Sequence, residues 1–207
     1  EDVYNVEVVM DWGIWELSME EYLVYRLALV MPQGYNSEAM KAQAVLLRTE
    51  LISSYRETQS RVLRVEGSGL SRYYGSKGQE DLAECKKAVE ETRGFYLVYQ
   101  GEPIQASYFK ISNGQTRDAK EVWHTDSCPY LTGVPCPQDK ASTEYSSVVT
   151  MEKGRYIEKL RSIAGDAYGE ETLWQGGIFS FDTAGYMTEV VYQEEGQEEV
   201  VIDGEEF

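Results

Sequence analysis

An α+β fold, with helices first and mostly antiparallel strands after them, is what this sequence predicts, and three observations carry the prediction. Apolar residues recur at helical spacing in the first half, at Leu23, Leu27 and Val30 and again at Met40, Ala44, Leu47 and Leu51. Short runs rich in β-branched and aromatic residues gather toward the end, and no strand–helix unit repeats. With 207 residues, 42% of them hydrophobic, the chain can bury one sizeable core, so a single domain over 1–207 is expected.

The elements follow in order. A strand opens the chain at residues 6–9. Ser18-Met19-Glu20-Glu21 then reads as a capping box, in which hydroxyl and carboxylate satisfy backbone donors at a helix start. Met31-Pro32 ends that helix, because proline disfavours helical geometry at the residue before it, and Gln33-Gly34-Tyr35-Asn36 turns the chain. Ser37 caps a second helix running to about Tyr55, with Lys41 and Arg48 on one face beside the apolar stripe. Residues 66–78 hold glycine, serine and tyrosine without sustained period and read as a long loop with room for one short strand. A third helix covers about 80–92 and stops at Gly94; residues 95–99 and 104–109 then flank Gln100-Gly101-Glu102-Pro103 as a hairpin. Ser112-Asn113-Gly114 is a tight turn, and residues 120–142 have three prolines and little pattern. A fourth helix carries Tyr156, Ile157, Leu160 and Ala164 on one face, and strands at 178–181, 187–192 and 200–202 complete the chain.

Charge narrows the function classes. Lysine and arginine number 19 against 36 aspartates and glutamates, and a formal net charge of -17 repels phosphate backbones and anionic headgroups, which argues against nucleic acid as a partner. No run reaches the roughly 20 apolar residues of a membrane span, and no basic-then-apolar leader opens the sequence. The reading is an ectodomain whose exporting or anchoring segment lies outside it. Cys85 sits in a helical pattern and packs as a small apolar side chain. Cys128 and Cys136 share a loop, where a disulfide is the favoured reading; the alternative is a zinc half-site with His124, completed by Asp126 or Asp139.

Several pieces, in this order, resemble the family of stage II sporulation protein D and the LytB amidase enhancer. Lys41-Ala42-Gln43-Ala44-Val45 followed by Arg48-Thr49 looks like the family's KAQAVAARTY helix, preceded by Glu21-Tyr22 and Met31-Pro32 as in its EEYVxGVVxxEMP segment. Val89, Thr92, Gly94, Tyr99, Gly101, Pro103-Ile104 and Ala106 are similar to its AVxxTxGxVLxYxGxPIxAxY stretch. Ser112 to Thr116 is similar to its SGGxT turn, and Val122-Trp123 with Pro129-Tyr130-Leu131 to its VW...PYL stretch. Asp203-Gly204-Glu205-Glu206-Phe207 resembles the start of its GxEFR segment, which places the family's final arginine-bearing strand beyond this sequence.

The resemblance implies lytic transglycosylation of peptidoglycan without a cofactor: a glutamate protonates the glycosidic oxygen and a neighbouring sugar hydroxyl closes an anhydro ring. The family's glutamate stands immediately before Met-Pro, and here that position is Val30, which has no proton to give. Glu38 is the weak substitute, and Glu21 a further one; both also have local roles at helix starts. The family's DxxHCQVYxG segment corresponds to a stretch ending Tyr73-Tyr74-Gly75, with Gly69, Leu70 and Ser71 in place of His, Cys and Gln. A groove beside the Lys41–Arg48 helix is expected, in which Lys41, Gln43, Arg48, Ser112, Asn113 and Thr116 contact sugar polar groups, or else pair locally, and Tyr35, Tyr73 and Tyr74 offer stacking faces. Three functions follow: a non-lytic, glycan-binding protein outside the cytoplasmic membrane, a divergent active transglycosylase, or a scaffold for a cell-wall amidase or other sporulation protein.

Overall fold

The computed structural model describes residues 4–31, 34–74, 82–165, 169–193, 195–196 and 198–204. Where the sequence leads to one unit, the contacts gather into two compact ones, Glu1–Tyr108 and Phe109–Phe207. Helices and short sheets share the chain, as the α+β reading expects, but the helices do not all come first: two strands precede the first helix and a third follows the second. No helix among the described residues is long and apolar enough to cross a membrane.

In the first unit, β1 (Asn5–Met10) pairs antiparallel with β2 (Gly13–Ser18) across the two-residue turn Asp11-Trp12. β3 (Val62–Glu66) lies parallel on the other side of β1, giving the order β2-β1-β3. Parallel strands need a long crossover, here supplied by α1 (Met19–Val30) and α2 (Ser37–Thr58). Val6 and Val8 of β1 are fully buried against Leu23 and Leu27 of α1 and Ala44 and Leu47 of α2, and α3 (Ala83–Glu91) closes this core with Cys85, Ala88 and Val89.

Several boundaries differ from expectation. Ser18 and Glu21 do form the capping box, but Asn36, not Ser37, caps α2: its Oδ1 accepts from the Glu38 N–H at 2.8 Å. The helix runs past Tyr55 to Thr58, since nothing breaks it until Gln59 adopts left-handed geometry. The expected long hairpin shrinks to β4 (Val98–Tyr99) and β5 (Glu102–Pro103), joined by Gln100 and Gly101 at φ 51° and 87° as a two-residue turn requires. This ribbon has only two strands, and residues 95–99 are exposed, so little extends the pairing. Pro32, Gln33, Gly75, Glu80 and the segment Glu205-Glu206-Phe207, which the sequence reading used, lie outside the described residues.

The second unit holds α4 (Ala119–Trp123), α5 (Lys153–Ala164), α6 (Glu170–Gln175) and an antiparallel meander of β6 (Ile178–Phe181), β7 (Met187–Tyr192) and β8 (Val200–Asp203). Ile157, Leu160 and Leu173 from the helices meet Val190, Tyr192 and Ile202 from the sheet. The three strands stand where the sequence places them. The strands β2 and β3 and the short helices α4 and α6 have no counterpart in the sequence reading; the two helices span fewer than two turns, too short to show a period.

Candidate functional site

Val30 is the last residue of α1, half-buried and packed against the first unit's core, and Met31 closes the helix by donating its N–H to the Leu27 carbonyl at 2.8 Å. Three carboxylates of this region have other employment. Glu21 Oε2 accepts from the Ser18 hydroxyl and backbone N–H at 2.6 and 2.9 Å, and these bonds hold its carboxyl below the ordinary glutamate range. A general acid needs the opposite shift. Glu38 is exposed and pairs with Lys41 at 2.8 Å.

Glu20 is taken by Arg48. That arginine is fully buried, and every one of its five N–H groups is engaged. Nε and Nη2 grip the two Glu20 oxygens at 2.9 Å each; Nη2 also reaches the Val89 carbonyl at 3.1 Å, and Nη1 the carbonyls of Thr92 and Phe95 at 2.8 and 3.2 Å. Arg48 therefore ties α1, α2 and the end of α3 together and leaves no donor for a sugar, in place of the contact the sequence reading offered. Thr49, beside it in the motif, receives the Leu97 N–H at 3.0 Å, so the helix also anchors the chain after α3.

Lys41 bridges Glu38 and Glu91 at 2.8 and 2.7 Å, which raises its already high pKa, and so links α2 to α3. A hollow of about 210 Å³ opens beside it, lined by Tyr35, Met40, Lys41, Glu84, Lys87 and Glu91 among others. It is lined by both charge signs and includes neither Gln43 nor Arg48. The Gln43 Nε2 is buried without a hydrogen-bond partner.

In the second unit the expected sugar-binding turn is consumed by its own fold. The Ser112 hydroxyl and N–H both donate to Asp139 Oδ2, at 2.6 and 2.7 Å, and hold that carboxyl below its usual range. Asn113 donates from its amide to the Gly185 carbonyl at 2.8 Å, accepts from the Tyr145 hydroxyl at 2.8 Å, and gives its backbone N–H to the Tyr186 hydroxyl at 3.0 Å. Thr116 Oγ1 accepts the Val134 N–H at 2.8 Å, and Arg117 pairs with Asp182 at 2.6 Å beneath the Tyr186 ring. These contacts weld the turn to the β6–β7 connection.

The cysteine reading also changes. Cys85, Cys128 and Cys136 are all thiols, and the expected Cys128–Cys136 bridge is not formed. Cys128 is buried, with the Tyr130 hydroxyl 3.6 Å from its sulfur, while Cys136 faces the Val134 carbonyl. The residues of the alternative zinc half-site lie apart: Asp126 pairs with Lys120, Asp139 with Ser112, and no three His, Cys, Asp or Glu side chains converge among the described residues.

Of the expected stacking residues, Tyr73 is buried and donates its hydroxyl to the Ala28 carbonyl at 3.3 Å, whereas Tyr74 stands half-exposed. Tyr74 does not stand alone. Its ring lies 4.2 Å from that of Trp12 and 5.1 Å from that of Trp15, and Trp15 is 4.8 Å from Tyr25. Sequence reasoning missed Trp12, Trp15 and Tyr25, because they join Tyr74 only through the unrecognised strand β2; the hairpin signal would have been Asp11-Trp12-Gly13 between alternating apolar residues.

The family profile described as stage II sporulation protein, SpoIID, matches residues 12–99. Stage II sporulation protein D of Bacillus amyloliquefaciens is 33% identical over 172 residues, which cover 75% of this chain and 50% of that protein. The protein of the same name from Bacillus subtilis (strain 168) is 32% identical over 158 residues, 70% of this chain and 46% of its own. The amidase enhancer of Bacillus subtilis (strain 168) is 37% identical over 101 residues, 49% of this chain and 13% of its own. The chain spans about half the length of the two sporulation relatives.

Proposed function

Residues 12–99 of this chain are a domain of the stage II sporulation protein (SpoIID) family, and on that premise we propose that the protein engages the glycan strands of the bacterial cell wall, outside the cytoplasmic membrane, without cutting them. One observation carries the non-lytic part: an aliphatic side chain, Val30, closes α1 where the family resemblance calls for the acid. The neighbouring carboxylates give that reading further support. Glu20 is locked on Arg48, Glu21 is held in its charged form by Ser18, and Glu38 is exposed against Lys41. None is a buried, unpaired carboxyl of the kind that protonates a leaving oxygen.

The test is to incubate the protein with peptide-stripped glycan and follow both retention and soluble products. Retention without anhydro-ended sugars is the expected result. Release of anhydro-disaccharides by the natural sequence would overturn it. A Val30→Glu variant that gains cleavage from nothing would show that the scaffold is intact and only the acid is lacking.

The likeness to an amidase enhancer favours a second reading, in which the protein scaffolds a cell-wall amidase. Binding to such an amidase with no retention on bare glycan would favour this reading over the first.

A further inference from the structure

The aromatic side chains of the first unit do not all end in the core. Along the buried-face side of β2, Trp15 is half-buried opposite Val8, and the register sets the indole over the same face as Val6, Val8 and Met10. From there the rings continue outward. Trp15 meets Tyr25 of α1 at 4.8 Å and the edge of Tyr74 at 5.1 Å with planes at 89°, and Tyr74 meets Trp12 at 4.2 Å. Tyr73 is 9% exposed, whereas Tyr74 is 49% and Trp12 53% exposed, so a continuous aromatic row begins in the core and emerges on the surface.

Its position is fixed by backbone anchors. The Tyr73 hydroxyl bonds the Ala28 carbonyl, in the last turn of α1 and two residues before Val30. Gly69, at φ 77°, opens the 3-10 turn Leu70–Tyr73 against Leu29, where an added Cβ would come within 3.2 Å of the leucine side chain. Tyr74 thus follows a residue anchored on the last turn of α1, and Trp12 packs against it.

We infer that Trp12 and Tyr74 form a stacking platform for one pyranose ring of an N-acetylated hexose strand. The inference rests on the glycan-engaging reading and names the surface that carries it. Two large rings kept half in solvent while Trp15 and Tyr25 behind them are partly buried are a costly exposure for folding alone, and the axial C–H face of a sugar is a fitting cover for an aromatic face. Charge selects against the other planar ligands: the net -17 of the chain disfavours nucleotides, whose bases arrive with phosphate. The indole N–H and the phenol hydroxyl add polar ends suited to ring hydroxyls and acetamido groups.

The experiment titrates N-acetylglucosamine oligomers and insoluble peptide-stripped glycan against the natural chain and the variants Trp12→Ala, Tyr74→Ala and Trp12→Phe, with thermal unfolding of each. Trp12→Ala and Tyr74→Ala are expected to weaken binding about tenfold or more apiece, the weight of one well-placed ring, while Trp12→Phe keeps most of it and all three unfold near the natural midpoint. Natural binding with unchanged affinity in both alanine variants would overturn the platform and leave the glycan reading standing. No binding by the natural chain would overturn the glycan reading and the platform with it. Equal losses in Trp12→Phe and Trp12→Ala would also sink the platform, since an aromatic face is what it requires.

Discussion

Arg48 and Trp12 lie in the same unit, and they reverse what their chemistry suggests. The guanidinium, a residue type suited to ligand oxygens, is wholly enclosed and satisfied by Glu20 and the carbonyls of Val89, Thr92 and Phe95, whereas the indole, suited to a core, stands half in water. The arginine region is closed by five fixed donors and tolerates nothing new. The aromatic region is anchored on its inner side only. A residue's chemistry names its possible partners; where the backbone aims it decides which partner it meets.

The sharpest way to break this comparison is Arg48→Ala, which leaves Glu20 and three carbonyls without their partner in a largely buried junction. A loss of about 3–5 kcal/mol is expected from the urea unfolding midpoint. Arg48→Lys should also be poorly tolerated, because three donors on a flexible stem cannot replace a five-donor fork. If either variant unfolds at the natural midpoint, the junction is not what holds the three helices. In the second unit, Asn113→Ala removes the amide bonds to Gly185 and Tyr145 and is expected to cost about 1–3 kcal/mol in the same measurement. It would extend the comparison to a second polar motif spent on structure.

Ser18→Ala should cost about 1 kcal/mol through the lost cap. It also has a pH signature. Because Ser18 depresses the Glu21 pKa in the folded state, that contribution is complete above the ordinary glutamate value of 4.5 and disappears as pH falls through the lower folded value. Unfolding measured stepwise below pH 4.5 should show the natural chain losing more stability than Ser18→Ala; parallel curves would remove the linkage. The smallest stability effect belongs to Trp12→Ala, about 1 kcal/mol or less, since one face of the ring is already solvated. A large loss there would make the Trp12–Tyr74 platform part of the core and erase the contrast with Arg48.

The helices α1, α2, α3 and α5 and the final three strands were legible because their apolar spacing and caps are local. Ser18 with Glu21 is a four-residue signal, and the structure makes it as written. The strand β2 was not legible and the hairpin at residues 95–109 was legible in place but not in extent: β2, β4 and β5 gain their bounds from pairing, as Met10↔Gly13 and Tyr99↔Glu102 show. Of the candidate site, Val30 stands at the end of α1 and Tyr74 is half-exposed, whereas Tyr73, Arg48 and Ser112 are buried and Asn113 and Thr116 are bonded within the second unit.

By itself, the sequence determined the acidic composition, the capping box that starts α1, the helical stripes and the resemblance that points to a cell-wall role, since all of these depend on composition or on neighbours a few residues apart. The tertiary structure alone decided that Arg48 faces Glu20 across 28 positions, and that Trp12 reaches Tyr74 through a hairpin and a 3-10 turn. The physical reason is range. A cap or a helical stripe is closed by local geometry, but a buried ion pair or an aromatic row forms only when distant segments pack, and packing answers to the shape and polarity of the whole unit.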